Sequence, residues 1–332
     1  MTEVPVSARA RFTLRRVAAG DHTFGEDVRA GLAAVQKSVP PRYFYDDLGS
    51  ALFDAICNLP EYYPTRAESE LLQSHARDIV SAVSNVDRIV ELGSGTATKT
   101  RILLDEIVTG KREVEYVPVD IDPHVLEKSG RELLAEYGAL RVNAVCSDFT
   151  RPAHALREAI AEGRTLVLFL GSTIGNFQPR EAVALLRDVR RMLRPGDSFL
   201  LGADLKKPKE ILEAAYNDSL GVTAAFNLNL LLRINRELGG RFDLHSFGHR
   251  SFYDERQSRI EMHLVSLREQ SVRIDALNVE VAFGEGETIH SENSYKYDDD
   301  ALAQMAADSG FEMAGRWTDS QNLFVDVLLK PR

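Results

Sequence analysis

The stretch "VELGSGTATKT", residues 90–100, decides the fold of this chain. A short apolar run ends in Gly93 and Gly95, and a helical stretch follows from Lys99 to Val108. Glycines between a strand and a helix let the backbone turn sharply and approach a ligand closely. Thr98 stands where a dinucleotide-binding fingerprint has its third glycine, so this stretch leaves nicotinamide cofactors and S-adenosylmethionine both open.

Strands and helices alternate around this turn, over residues 87 to about 205. Such alternation predicts βαβ units and a parallel sheet with helices on both faces. After it, a helix around "GVTAAFNLNLLLRINREL" is followed by alternating stretches typical of strands, and the chain closes with a helix and two strands. We therefore predict an α/β fold in three segments: 1–217, a helical segment plus a Rossmann-like core; 218–290, an inserted α+β cap; and 291–332, a return to the core.

The composition argues against several classes of partner. There are 50 acidic and 40 basic residues, a formal net charge of −10, whereas nucleic-acid binding normally needs clustered Lys and Arg. The longest apolar runs, such as "TLVLFLG" (165–171), are too short to cross a bilayer. We interpret Cys57 and Cys146 as buried thiols in a reducing cytoplasm. Neither the cysteines nor the histidines show metal-ligand spacing, so we expect no metal site. We also expect a monomer.

Acidic residues after two further strands favour S-adenosylmethionine. Asp120 follows "EVEYVPV", where a carboxylate can accept hydrogen bonds from the two hydroxyls of a ribose. Asp148 and Phe149 in "CSDF" offer a carboxylate to the exocyclic amine of adenine and an apolar face to its ring. Glu91, two residues before Gly93, and the closing helix–strand–turn–strand pattern are similar to class I methyltransferases.

The stretch "IHSENSYKY" (289–297) is a polar segment far along the chain from the glycine turn. Glu292 and Ser294 are two residues apart, so on an extended segment their side chains point to one face. Glu292 can accept from one N–H of an imidazole, and Ser294 can pair with the other nitrogen in either tautomer. A solvated strand face would show the same pattern.

Five motifs, in order along the chain, resemble the histidine Nα-methyltransferases of ergothioneine biosynthesis, which trimethylate the α-amine of histidine to hercynine. They are "YDDLGSALFDAICNLPEYYPTRAE" (45–68), "ELGSGTATKT" (91–100), "GSTIGN" (171–176), "AYND" (215–218) and "SENSYKY" (291–297). The resemblance covers residues from about 25 to 330. It implies a class I methyltransferase sheet with an inserted α+β substrate-binding cap, S-adenosylmethionine as methyl donor and L-histidine as substrate.

The resemblance also implies site residues. The residues expected to contact S-adenosylmethionine are Tyr45, Gly93, Lys99, Asp120, Asp148 and Phe149. Those expected to contact histidine are Tyr63, Asn176, Tyr216, Met262, Glu292 and Ser294. From the residues themselves, Asn176 at the end of the fourth strand and Tyr216 offer donors to the substrate carboxylate. Tyr63 is the expected catalytic residue, which orients the amine and relays its proton through water. Asn293 departs from the family pattern, because an apolar residue is expected between Glu292 and Ser294.

Three other hypotheses stay open. The same site would serve the α-amine of another amino acid, tryptophan especially, although an indole has no acceptor nitrogen for a hydroxyl partner. An NAD-dependent dehydrogenase fits the glycine turn, but Thr98 and the lack of an obvious hydride-transfer acid or base argue against it. A non-catalytic protein that binds S-adenosylmethionine would not need the dense polar cluster.

Overall fold

The computed structural model describes residues 11–17, 23–83, 85–109, 113–148, 150 and 163–332. The strands are β1 Phe12–Arg16, β2 Lys37–Ser38, β3 Arg88–Leu92, β4 Val114–Asp120, β5 Leu140–Cys146, β6 Thr165–Phe169, β7 Ser198–Asp204, β8 Phe247–Asp254, β9 Arg259–Ser266, β10 Gln270–Ile274, β11 Val279–Phe283, β12 Thr288–Tyr295, β13 Phe311–Thr318 and β14 Phe324–Pro331. The described α-helices are α1 Phe24–Ala33, α2 Asp47–Cys57, α3 Tyr63–Val83, α4 Thr98–Val108, α5 Pro123–Glu136, α6 Pro179–Met192, α7 Lys209–Tyr216, α8 Val222–Leu238 and α9 Asp299–Ser309.

The chain divides into two compact units. The first consists of the described parts of Met1–Gly20, Ala67–Leu205 and Tyr297–Arg332, and the second of those of Asp21–Arg66 and Lys206–Lys296. Residues 21–66 thus group with the insertion, because their helices pack on it; α2, for example, packs on α8. The segments 1–217, 218–290 and 291–332 stay a prediction about the organisation of the chain.

The first unit contains an eight-stranded sheet in the order β1–β5–β4–β3–β6–β7–β14–β13. Neighbours from β1 to β7 pair in parallel, whereas β14 runs antiparallel to both β7 and β13. The central strands "RIVEL" and "TLVLF" are buried along their whole length, as expected of parallel strands covered on both faces. The predicted α/β sheet with a closing antiparallel hairpin is confirmed.

Several helix ends follow from local sequence signals. Helix α5 begins at Pro123 after Asp122, whose side chain accepts from two backbone N–H groups of the first turn. Helix α6 begins at Pro179, and α9 ends before Gly310, which has a φ of 84°. A proline at the first helical position and a glycine after the last one are the usual start and stop signals of a helix.

The second unit contains a four-stranded sheet in the order β2–β12–β9–β8 and a separate β10–β11 hairpin. Strand β9 is antiparallel to both β8 and β12, and β12 carries a bulge between His290 and Glu292. Beyond the bulge the pairing is regular, with Glu292 opposite Met262 and Ser294 opposite Ile260. The predicted helix followed by strands is confirmed.

Two expectations from the sequence are wrong in detail. The strand that was predicted to end at Asn176, the fourth of the core, is β6, and it ends at Phe169. Asn176 instead ends a 3-10 turn that begins at Thr173. The chain bends between the strand and the turn because Gly171 and Ser172 have φ values of 78° and 57°. Cys57 and Cys146 are half-buried rather than buried. Within the described ranges, no helix has both the length and the apolar character that a membrane span requires.

Candidate active site

The glycine turn joins β3 to α4 with three left-handed residues, Gly93, Gly95 and Ala97, whose φ values are 69°, 49° and 55°. The N–H groups of Gly93 and Ser94 donate to the carbonyl of Val119, at 2.8 and 3.2 Å. A β-carbon on Gly95 would meet no atom within 4 Å, so the turn has open space there. Backbone at this point can therefore approach a ligand, as predicted for a cofactor loop.

Asp120, at the end of β4, holds this turn in place. Its Oδ2 accepts from the N–H of Gly95 at 2.9 Å, and its Oδ1 accepts from the N–H of Asp122 at 3.0 Å. Burial raises the pKa of Asp120, while these backbone hydrogen bonds partly offset the effect. A carboxylate has about four acceptor positions, so the geometry suits additional hydrogen bonds from ribose hydroxyls.

Lys99 contacts a cluster of buried acidic residues that the sequence did not predict. Its ammonium pairs with Glu68, which is completely buried and whose two oxygens accept from the N–H of Gly171 at 2.8 and 2.9 Å. Asp326 is also completely buried; burial first, and then the charge of Glu68, raises its pKa well above the usual range. Gly202 lies against both carboxyl groups, because a β-carbon there would be far inside contact distance of Glu68 and 3.1 Å from Asp326.

The other predicted cofactor residues have different surroundings. Asp148 follows β5, and its Oδ1 accepts from the N–H of Thr150 at 2.9 Å. Phe149 lies outside the described residues. Tyr45 belongs to the second unit, where its ring packs edge-on against Phe53 and Phe226 with centroids 5.6 and 5.8 Å away. Their contacts with S-adenosylmethionine stay a prediction.

Glu91 is a buried acid on β3, just before the glycine turn, and it links β3 to α4 and β4 through hydrogen bonds. It is 4% exposed, and its two oxygens accept from the hydroxyl of Thr100 at 2.7 and 2.6 Å, while Tyr116 also donates to it. Burial raises the pKa of Glu91 to about 7, although both hydroxyl partners lower it. Glu91, which the sequence analysis noted for its position two residues before Gly93, therefore has a structural role in a buried hydrogen-bond network.

Four of the predicted substrate residues lie in or beside the four-stranded sheet of the second unit. Met262 is 1% exposed on β9, directly opposite the half-buried Glu292 on β12. Tyr216 ends α7, and its carbonyl accepts from Ser251 at 3.0 Å and contacts His249 Nε2 at 2.9 Å. Strand β8 thereby fixes the end of α7. Asn176, in contrast, belongs to the first unit.

Tyr216 and Ser294 contact each other, and both contact Lys296, which was not among the predicted site residues. The two hydroxyl oxygens are 2.7 Å apart, and Lys296 Nζ lies 3.0 Å from that of Tyr216 and 2.8 Å from that of Ser294. The three residues are buried, with exposures of 8%, 4% and 2%. We call them the hydroxyl–ammonium triangle. The two-residue spacing that singled out Glu292 and Ser294 continues to Lys296 and would have identified it.

Tyr63 is the first residue of α3 and also has a lysine partner. Lys207 Nζ donates to its hydroxyl oxygen at 2.9 Å and lies 4.4 Å from the centre of its ring. Tyr63 is 6% exposed. The phenolic oxygen is thus held by a cation, an arrangement suited to hydrogen bonding or proton transfer.

Glu261, His263 and His290 place ligand atoms within 4.8 Å of one another, although their spacing along the chain predicted no metal site. The histidines face each other across β9 and β12, a pairing that linear spacing does not show. His263 Nε2 contacts Glu261 at 2.9 Å, and Arg259 pairs with the same carboxylate. Because Arg259 already neutralises that charge, we interpret the group as a hydrogen-bonded cluster. The absence of a metal stays a prediction.

Comparisons with known proteins identify the family. A model of histidine-specific, S-adenosylmethionine-dependent methyltransferases matches residues 24–331. The chain is 44% identical over 293 residues to histidine N-alpha-methyltransferase of Mycolicibacterium smegmatis, covering 88% of this chain and 90% of that protein. It is 43% identical over 306 residues to the protein of that name from Mycobacterium tuberculosis, covering 92% and 94%. It is 28% identical over 287 residues to ergothioneine biosynthesis protein 1 of Schizosaccharomyces pombe, covering 84% of this chain and 37% of that protein. The chain belongs to the family of histidine-specific, S-adenosylmethionine-dependent methyltransferases.

Proposed function

We propose that this protein transfers methyl groups from S-adenosylmethionine to the α-amine of L-histidine and continues to the trimethylated product, hercynine, in ergothioneine biosynthesis. The observation that carries the proposal is the group of polar side chains in the second unit, where Glu292 and the buried Tyr216–Ser294 pair offer partners to an imidazole. The family match over residues 24–331 and the relatives named for histidine support the substrate. Nothing in the family match supports the dehydrogenase alternative.

The residues of the glycine turn fit the proposed cofactor. Gly93 and Gly95 adopt the left-handed backbone conformation of a tight turn, and the Asp120 carboxylate beside this turn is the proposed acceptor for the ribose hydroxyls. S-adenosylmethionine supplies a sulfonium-activated methyl group for in-line displacement by an amine, so the protein contributes mainly positioning. Lys99, Asp148 and Phe149 stay proposed contacts.

The amine must lose its proton before it can accept a methyl group, since an α-amine titrates near 8 even in peptides. Tyr63 is the proposed catalytic residue. Lys207 donates to its oxygen. A phenolic hydroxyl can both donate and accept hydrogen bonds, which suits Tyr63 to orient the amine and to pass a proton through water. Asn176 stays a proposed donor to the substrate carboxylate.

Mass spectrometry of histidine incubated with the enzyme and S-adenosylmethionine tests the proposal. We expect a mass gain of three methyl groups on histidine, with tryptophan and tyrosine as parallel substrates that gain none. A gain on tryptophan alone would support the alternative amino acid, and no gain on any amino acid would refute methyl transfer. We further propose a cytoplasmic monomer without a nucleic-acid partner.

A further inference from the structure

Strand β12 contains one residue more than its partner β9 where it forms the bulge. His290 lies opposite His263, and Glu292 lies opposite Met262, so two steps along β12 match one step along β9. Ser291 is the extra residue. In a regular strand, residues two apart point to the same face, and an extra residue breaks this alternation. The side chains of His290 and Glu292 therefore lie on opposite faces of the sheet.

Ring contacts identify the face on which His290 lies. Its ring stacks on that of His263, with centroids 4.7 Å apart and an angle of 16° between the ring planes. His263 also stacks with Phe252 on β8, with centroids 5.5 Å apart. This face of the sheet thus carries a row of stacked rings from β8, β9 and β12.

The opposite face carries residues of the proposed substrate site. Met262 on β9 pairs with Glu292 on β12 and with Ser251 on β8. Ser251 and Ser294 both contact Tyr216, the first at its carbonyl and the second at its hydroxyl, at 3.0 and 2.7 Å. Glu292 thus lies on the face that contacts Tyr216. Without the extra residue, regular alternation would place it on the face of the stacked rings instead.

Two side chains of the bulge hold its main chain. Ser291 is 1% exposed, and its hydroxyl donates to the carbonyl of Met262 at 3.0 Å. His290 Nε2 lies 3.0 Å from the carbonyl oxygen of Glu292. A carbonyl can only accept, so Nε2 carries a hydrogen and donates it. The first hydrogen bond ties the extra residue to β9, and the second fixes the peptide group that follows the α-carbon of Glu292.

We infer that His290 and Ser291 are positioning residues that hold the bulge of β12 and thereby direct the carboxylate of Glu292 toward the imidazole of histidine. The inference rests on the proposed function, in which Glu292 accepts from an imidazole N–H. His290 lies on the other face of the sheet, so its effect on the substrate passes through the main chain of Glu292. Bulges beside active sites commonly re-aim a side chain in this way.

Calorimetric titration of L-histidine into the protein saturated with S-adenosylhomocysteine tests the inference. His290→Phe keeps a ring that can stack on His263 but removes the donor, and we expect about a tenfold loss of histidine affinity. His290→Gln supplies an amide N–H to the same carbonyl, so its loss should stay below about threefold. The affinity for S-adenosylhomocysteine should not change in either variant. The matched control, His263→Phe, replaces a ring on the same face, leaves both hydrogen bonds of the bulge intact and should bind histidine normally.

A double-mutant cycle with Glu292→Ala separates positioning from general damage to the fold. If His290 acts through the Glu292 side chain, adding His290→Phe to Glu292→Ala should cost less than about a further twofold in histidine affinity. Ser291→Ala removes the other hydrogen bond of the bulge and should lose about threefold to tenfold, a loss that should likewise disappear in the Glu292→Ala background. This variant decides if His290→Phe does not fold.

The outcomes for the inference and for the proposed function are distinct. Normal histidine binding by His290→Phe or by Ser291→Ala would overturn the inference while the proposed function stands. So would a loss that His290→Gln does not reduce, or losses that add fully to that of Glu292→Ala. Failure of the parent protein to bind or methylate histidine would refute the proposed function and the inference with it.

Discussion

At the scale of single residues, the proposed specificity depends on side chains that share one side of β12. Glu292 faces Met262 in the register, and Ser294 follows two residues later. Their common side was predictable from alternation alone. Lys296 continues the same two-residue spacing but was missed, because a lysine is rarely buried and is therefore not expected to contact two buried hydroxyl groups.

Glu292→Gln should weaken histidine binding selectively. The amide can still contact the ring but loses the charge that strengthens the hydrogen bond, a loss of about 1.5–3 kcal/mol or about 10–100-fold in affinity. Calorimetry should show unchanged affinity for S-adenosylhomocysteine. The matched control is Glu285→Gln in an exposed turn, which should affect neither ligand. Equal losses for both ligands in the Glu292 variant would contradict this role.

Tyr63→Phe should lower kcat more than it changes KM for histidine. The variant removes the oxygen that accepts from Lys207, and general acid–base contributions of this kind are about 10²-fold or more. The measurement is the pH profile of kcat in steady-state assays. Tyr253→Phe on β8 serves as a control with an unchanged profile. A Tyr63 variant whose rate and pH profile match those of the parent protein would remove Tyr63 from the mechanism.

At the scale of elements, the glycine turn joins the end of β3 to the start of α4, and the carboxylate of Asp120 accepts a hydrogen bond from its backbone. Asp120→Asn should weaken S-adenosylhomocysteine binding by about tenfold or more, because the amide nitrogen cannot accept from the N–H of Gly95 or Asp122 and leaves one of them unsatisfied. Equilibrium binding measures the effect. Asp54→Asn, at an exposed position of α2, should bind normally. Normal binding by the Asp120 variant would mean that this carboxylate has no part in the cofactor site.

Strand and helix positions were largely predictable, because their periodicity, proline starts and glycine ends are local signals. Residues joined by long-range contacts were not. Glu68 contacts Lys99 and Gly171 across sequence separations of 31 and 103 residues, and no spacing in the sequence indicates that cluster. The position of Asn176 was mispredicted because the left-handed bend at Gly171 and Ser172 separates it from its strand.

At the scale of the whole molecule, the buried acid Glu91 should make stability depend on pH. Its folded-state pKa of about 7 lies above the ordinary 4.5, so the folded protein retains a proton that the unfolded chain releases. The contribution is fully present below pH 4.5 and is lost as the pH rises through 7. The free energy of unfolding should fall by about 1.4 kcal/mol per pH unit between these values, about 3 kcal/mol in total.

Urea denaturation at several pH values, with Glu91→Gln beside the parent protein, measures this contribution. The variant cannot titrate at this position, so its stability should decline less steeply between pH 5 and 7. Glu312→Gln, an exposed acid of the first unit, should keep the slope of the parent protein. Identical slopes for the parent and the Glu91 variant would show that Glu91 is already ionised in the folded protein.

Gly202 carries a consequence for the evolutionary history of the chain. Its missing side chain leaves room for Glu68, and a β-carbon there would also lie 3.1 Å from Asp326. A larger residue at 202 therefore requires a lineage in which the carboxylate at position 68 is displaced or shortened, because that is the group a β-carbon would overlap. Among relatives, positions 68 and 202 should change together, although they lie far apart along the chain.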